Sequence, residues 1–341
     1  MKFSVVIPSY NNASFLEQTI QSALAVLPAK DGEIILVDDC SSDESFKIAR
    51  KFTKKIRLYR NQTNQGQAET TNRALRLAKG DQAVILHSDD ILHPCFYDVL
   101  SPLLEEFQSV VMAVGERIEI GSQGEIVVSP APFYDDEYLI PGVEQAKVFL
   151  TTGFLPCQVL FRRKPVLSFG GAQRNYIANL DGLLWFKTAL IGDVAYVRQP
   201  VCSYRRHDAS TTSALNKSVE HLFAYYNTVT AMFRHARDHH DLILDDYRLR
   251  AFHRIAELGV RYGREIYSVG DTSLSKRYLL LAEAIDPNIC NSAAYNELKD
   301  AILMDQTVGT PYKNKIASYP PPPHSVKLSD LRKSKITEPT K

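Results

Sequence analysis

The sequence predicts an α/β fold, a mostly parallel sheet with helices on both faces, followed by a helical C-terminal region. Three observations carry this prediction. Short apolar runs alternate with helix-periodic runs through the first hundred or so residues, which is the pattern of strands joined by crossover helices. Two of those apolar runs end in paired aspartates, Asp38-Asp39 and Asp89-Asp90. From Ser218 onward the periodicity turns purely helical.

Taken in order, Phe3 to Pro8 is an apolar strand and Ser9-Tyr10-Asn11-Asn12 a turn. Phe15, Leu16, Thr19, Ile20 and Ala23 then recur at helical spacing. A strand from Glu33 to Val37 precedes a helix from Asp43 to Phe52, capped by Ser42 or Asp43. Next come a strand from Ile56 to Arg60, a helix from Gln67 to Ala78 stopping at Gly80, and a strand from Gln82 to Leu86. After Pro94 a helix runs to Phe107. Val110 to Ile120 and Gly124 to Ser129 read as a hairpin-like pair. Pro130 to Pro141 is polar and reads as a loop, and Gly170-Gly171 marks a turn. Val219, Leu222, Phe223, Tyr226, Val229, Met232 and Phe233 follow three-and-four spacing, and helices follow at Tyr247 to Tyr267 and Ser273 to Ile285. The expected organisation is an α/β domain over 1–215, a helical region over 216–310 and a disordered Pro-rich tail over 311–341.

Composition narrows the function. With 341 residues, 45% of them apolar, the chain has enough material for a real core. Its 40 basic and 39 acidic residues give a net charge of +1, which argues against a nucleic acid held by bulk charge. The five cysteines are odd in number and scattered without a CxxC, against both a disulfide framework and a zinc knuckle. Met1-Lys2-Phe3-Ser4-Val5 runs straight into a strand, so no signal peptide is expected and the setting reads as cytoplasmic.

The paired aspartates carry the chemistry. Side-by-side carboxylates repel, and they persist where a cation or hydrogen-bond donors offset that repulsion. In parallel sheets, ligands bind outside the carboxyl ends of the strands, so two acidic strand ends converge on one crevice. The alternative is that these aspartates are helix caps and turn residues. His239-His240-Asp241 reads as solvated surface, and Trp185 as core.

Four motifs in order resemble the inverting family 2 glycosyltransferases of the GT-A fold: Val5 to Asn11, Ile34 to Asp43, Asn64-Gln65-Gly66 with Asn72, and Ser88-Asp89-Asp90. The resemblance implies a Rossmann-like GT-A domain and a sugar moved from a nucleoside-diphosphate donor by single displacement. On the nucleotide-sugar side it places Pro8, Tyr10, Asn11, Asp39, Gly66, Asn72, Asp89 and Arg205. Asp39 would accept a ring N–H from uracil or thymine, favouring a UDP- or dTDP-sugar. Asp90 and His207, the latter in the Tyr204-Arg205-Arg206-His207-Asp208-Ala209-Ser210 segment, would bind Mn2+ or Mg2+. Asp181, within Asn179-Leu180-Asp181-Gly182, would be the general base, with a helix cap as its alternative role. The acceptor would be a glycan, lipid-linked or protein hydroxyl, and a lipid-linked one would bring the protein to the inner face of a membrane. The chain departs from the family's commonest pattern at His87, where many members carry aspartate, and at Thr71, where many carry arginine. Those departures keep a second reading open, a catalytically silent nucleotide-sugar-binding or scaffold protein acting through its helical region.

Overall fold

The computed structural model describes residues 2–28, 30–174, 180–207, 218–305, 307 and 318–337. They fall into two compact units: Met1–Val148, Gly153–Arg206 and Ile316–Lys341 make the first, and Phe149–Thr152 with His207–Lys315 the second.

The first unit opens with β1 (Phe3–Ser9), α1 (Ala13–Ala25), β2 (Gly32–Asp38), α2 (Ser45–Arg50), β3 (Arg57–Arg60), α3 (Gln67–Leu77) and β4 (Gln82–Ile85). β5 (Ile91–Leu92), α4 (Phe96–Glu106), β6 (Val110–Ile120), β7 (Ile126–Val128), β8 (Tyr138–Ile140) and α5 (Gly142–Phe149) follow. Then come β9 (Val159–Arg162), α6 (Arg163–Ser168), α7 (Leu180–Ala189) and β10 (Asp193–Arg205). Among its described residues the second unit contains α8 (Glu220–His240), α9 (Arg248–Ser268), α10 (Thr272–Ile285) and α11 (Ala293–Met304). The chain then returns to the first unit as β11 (Val326–Lys327) and α12 (Leu328–Thr337).

The sheet order is β11-β8-β10-β6-β9-β4-β1-β2-β3, with β5 on β10 and β7 on β6. β4, β1, β2 and β3 run parallel, as the alternation predicts, and β6 runs parallel to β10. β9 is antiparallel to both β4 and β6 and joins the two parallel sets. The β1 and β2 cores are buried throughout because helices cover both faces, which is why they read as continuous apolar runs rather than as alternation. Val5, Ile7, Ile34, Leu36, Val84 and Leu86 pack with Leu16 and Ile20 of α1 and with Phe96, Leu100 and Leu103 of α4. The buried side of α1 is Leu16, Thr19, Ile20 and Ala23, the face its spacing marks.

Two segments differ from expectation. The polar stretch 130–141 contains β8, because Tyr138 and Ile140 are buried and pair antiparallel with Val194 to Tyr196. The C-terminal segment, expected as a disordered tail, is ordered over 318–337. Val326 and Lys327 add to the edge of β8, Leu328 is fully buried, and Tyr319 stacks on Phe133 with ring centroids 5.0 Å apart. Proline and lysine content conceals this, since one buried leucine, one ring and an edge strand suffice to seat it.

The second unit has its own core. Ala256 and Val260 of α9, Leu279 and Ala282 of α10, and Tyr295 and Leu298 of α11 pack around Ile289. His253 Nδ1 pairs with Asp286 Oδ2 at 2.5 Å, tying α9 to the turn after α10. Among the described residues no helix is long and apolar enough to cross a membrane, and the five cysteines are free thiols.

Candidate active site

Register brings the strand ends together. Ser9 pairs with Asp38 across β1 and β2, and Val6 pairs with Ile85 across β1 and β4, so the loops after all three strands leave from one edge. The β1 and β4 loops are joined directly, by Asn12 Nδ2 donating to Ser88 Oγ at 2.8 Å.

At the end of β1, Pro8 is a buried ladder residue opposite Val37. Asn11 adopts φ +48°, a left-handed conformation that asparagine tolerates. Its Oδ1 accepts from Ser42 N at 2.8 Å and its own N–H donates to Ser41 Oγ at 3.0 Å, so its polar groups staple this turn to the one after β2. Tyr10 is left over, a ring 48% exposed between two fixed turns.

At the end of β2, Asp39 is buried and its carboxylate holds the loop 61–66. It accepts from Asn61 Nδ2 at 2.5 Å, Gln65 N at 2.8 Å and Gly66 N at 2.9 Å. A carboxylate offers about four acceptor positions, so this arrangement leaves capacity for about one more donor. Gly66 sits at φ +83°, where only glycine is unstrained, and a Cβ there would point into open space. That geometry turns the loop into the start of α3.

The Asp89-Asp90 turn follows β4. Asp90 is 1% exposed: Oδ1 accepts from Arg205 N at 3.0 Å, and its carbonyl accepts from Thr19 Oγ1 at 2.9 Å. Oδ2 is buried with no donor among the described residues. Burial and the neighbouring Asp89 charge hold the Asp90 carboxyl well above the usual carboxylate range, opposed by the Arg205 N–H and the Cys157 thiol. Asp89 is partly exposed.

Arg205 serves the protein rather than an open surface. It is 1% exposed, donating from Nε to Asp89 O at 2.9 Å, from Nη1 to Gly121 O at 3.0 Å and from Nη2 to Gln18 Oε1 at 2.8 Å. Its guanidinium also lies 4.8 Å from the Phe15 ring centroid. One side chain thus ties α1, the acidic turn and the turn after β6 together.

Asn72 likewise gives both amide atoms to backbone: Nδ2 donates to Ala172 O at 2.7 Å and Oδ1 accepts from Ala172 N at 2.8 Å. Thr71 is buried beside it.

Asp181 lies in the first turn of α7. That helix is pinned by Trp185, a core residue whose Nε1 donates to Phe154 O at 3.1 Å. Part of the Asp181 surface is open, yet desolvation raises its carboxyl above the ordinary value, opposed by the nearby His87. His87 in turn meets Gln67 at the start of α3, Nε2 to Nε2 at 2.9 Å. His87 therefore stands between the acidic turn, α3 and Asp181.

Asn179 and Asp208, Ala209 and Ser210, parts of two expected motifs, lie outside the described residues. His207 belongs to the second unit, at the start of its stretch His207–Lys315. Asp90 Oδ2, an orphaned acceptor in a desolvated setting, fits a divalent cation. Among the described residues no three His, Cys, Asp or Glu gather around one point, so such an ion would need oxygen ligands beyond these side chains.

Residues 4–166 match the profile of Glycosyl transferase family 2. An uncharacterised glycosyltransferase of Rickettsia typhi is 30% identical over 224 residues, 64% of this chain and 68% of the relative. The chain belongs to glycosyltransferase family 2. An uncharacterised glycosyltransferase of Nostoc is also 30% identical, over 221 residues that cover 62% of the chain and 66% of the relative. The Staphylococcus aureus poly(ribitol-phosphate) beta-N-acetylglucosaminyltransferase TarS is 31% identical over 118 residues, 33% of this chain and only 21% of that enzyme. A crystal structure of TarS residues 1–349 in complex with UDP-GlcNAc superposes with a TM-score of 0.58. It covers 90% of this chain and 93% of that one at 16% identity, a likeness of fold that extends through the helical region.

Proposed function

We propose that this family member transfers a sugar from a nucleoside-diphosphate donor to an acceptor hydroxyl, inverting the anomeric centre. The observation that carries the reading is the shared edge of β1, β2 and β4, with an exposed ring, a buried acceptor and a carboxylate pair on three adjoining loops. Tyr10 offers its face to a nucleobase. Asp39, with about one acceptor position left, takes the ring N–H of a uracil or thymine, which favours a UDP- or dTDP-sugar. The TarS structure in complex with UDP-GlcNAc supports a uridine donor on this fold.

Asp181 is the base. The acceptor oxygen attacks the anomeric carbon, the bond to the diphosphate oxygen breaks with its electron pair, and the hydroxyl proton passes to the Asp181 carboxylate. A divalent cation, Mn2+ or Mg2+ held at Asp90, would neutralise the charge on the departing diphosphate. The acceptor is a glycan, lipid-linked or protein hydroxyl, and a lipid-linked one would draw the enzyme to a membrane surface.

The test is a panel of nucleotide sugars with Mn2+, read for transfer and for slow hydrolysis. Asp181→Asn is expected to lower kcat by about 10²–10⁴-fold with UDP affinity kept. Asp90→Asn is expected to abolish the gain in UDP affinity that Mn2+ confers. Wild-type protein that binds UDP but neither transfers nor hydrolyses any sugar would leave the scaffold reading standing instead.

A further inference from the structure

Asn72, expected on the nucleotide-sugar side, and Arg174 direct polar groups at protein partners instead, and those bonds join two parts of the site. The loop 61–66, fastened to Asp39, runs directly into α3. Two turns into that helix, Asn72 is 5% exposed and closes its double hydrogen bond on Ala172, a hundred residues away in sequence. The backbone there is shaped to receive it. Gly170 and Gly171 are both left-handed, at φ +90° and +68°, and a Cβ on Gly171 would collide with Asn72 Oδ1. Arg174 makes the second tie, with Nη2 donating to Gln65 Oε1 at 3.3 Å and Nε 3.7 Å from Glu69 Oε2. Gln65 is the residue whose backbone N–H is bound to Asp39.

Segment 170–174 is therefore attached to the same loop and helix that grip the residue expected to read the base, and it precedes α7 and Asp181 in the chain. A buried amide with both ends paired holds one arrangement, since losing either bond leaves an unpaired polar group.

We propose that Asn72 is a positioning residue, a latch through which nucleotide bound at the 61–66 loop orders the backbone at 170–174, assigned to the acceptor side because it precedes Asp181, the proposed base, in the chain. This rests on the donor reading above. Binding that stiffens one end of the latch stiffens the other, and by linkage an acceptor seated at 170–174 would tighten the nucleotide by the same factor. Glycine at 171 is then required for the seat of the latch as well as for the turn.

Hydrogen–deuterium exchange on the full chain, with and without UDP or dTDP and Mn2+, tests it. In wild type, nucleotide is expected to slow exchange over 61–66 and also, by about tenfold, over 170–174, where the Ala172 N–H reports directly on the latch. Asn72→Ala is expected to keep the first protection and lose the second. Gly171→Ala, which leaves Asn72 in place but blocks its seat, is expected to do the same. Exposed Arg174→Ala, a change that spares the core, is expected to weaken the second protection. Protection confined to 61–66 in wild type overturns the latch while leaving the donor reading intact, as does full protection of both segments in Asn72→Ala and Gly171→Ala. No protection at 61–66 by either nucleotide overturns the donor reading and the latch with it.

Discussion

Burial sets the working range of Asp181. Desolvation raises its carboxyl above the ordinary value, and the charge of His87 pulls it part of the way back. In its proposed role as base Asp181 must be ionised, so the acid limb of kcat/KM is expected at higher pH than for a free carboxylate. His87→Ala removes the opposing influence and should move that limb further up, measured from pH profiles with donor below saturation. A limb that stays put or moves down would separate His87 from the base. The same raised value has a thermodynamic side. A carboxylate whose folded pKa lies above its unfolded one loses stability as pH rises through the folded value, so Asp181→Asn should be at least as stable as wild type at neutral pH. Paired carboxylates at strand ends marked Asp39, Asp89 and Asp90, and the resemblance marked Tyr10. The resemblance set Asn11, Asn72 and Arg205 on the nucleotide-sugar side, but donors that would grip a ligand equally grip backbone. Only their partners, Ser42, Ala172 and the carbonyls of Asp89 and Gly121, show where those groups are used.

At the scale of elements, β1, β2 and β4 were legible because each is a buried apolar run closed by a polar turn. β8 and β11 were not, being three and two residues long in polar surroundings. Such strands exist because a neighbouring edge offers unpaired backbone groups, information that lies in the partner strand. The C-terminal return is anchored at Leu328, whose N–H donates to Glu137 O at 3.1 Å and whose side chain joins the main core. Leu328→Ala is expected to destabilise the first unit by about 2–4 kcal/mol, read as a lower urea midpoint at unchanged slope. A cost below about 0.5 kcal/mol, the range of an ordinary surface change, would mean that this segment is not part of that core.

At the scale of the molecule, the chain falls into two compact units, with Gly153–Arg206 in the first and His207–Lys315 in the second. Each has its own core, so damage to one should be read separately from the other. Leu298→Ala, fully buried in the helical unit, is expected to cost about 2–5 kcal/mol there while UDP affinity is kept. Loss of UDP binding in that variant would show that the helical unit supports the donor site.

Periodicity and strand-end chemistry, both local properties of the chain, determined by themselves the α/β class and the acidic edge, while the family came from the resemblance of four motifs. Tertiary structure decided how those residues divide their work. It committed Arg205 to a buried bracket, Asn72 to Ala172 and Asn11 to a turn, left Tyr10 exposed, and desolvated Asp90 and Asp181. Burial and hydrogen-bond partners depend on segments up to a hundred and more residues apart, and pattern within a short window carries no record of them.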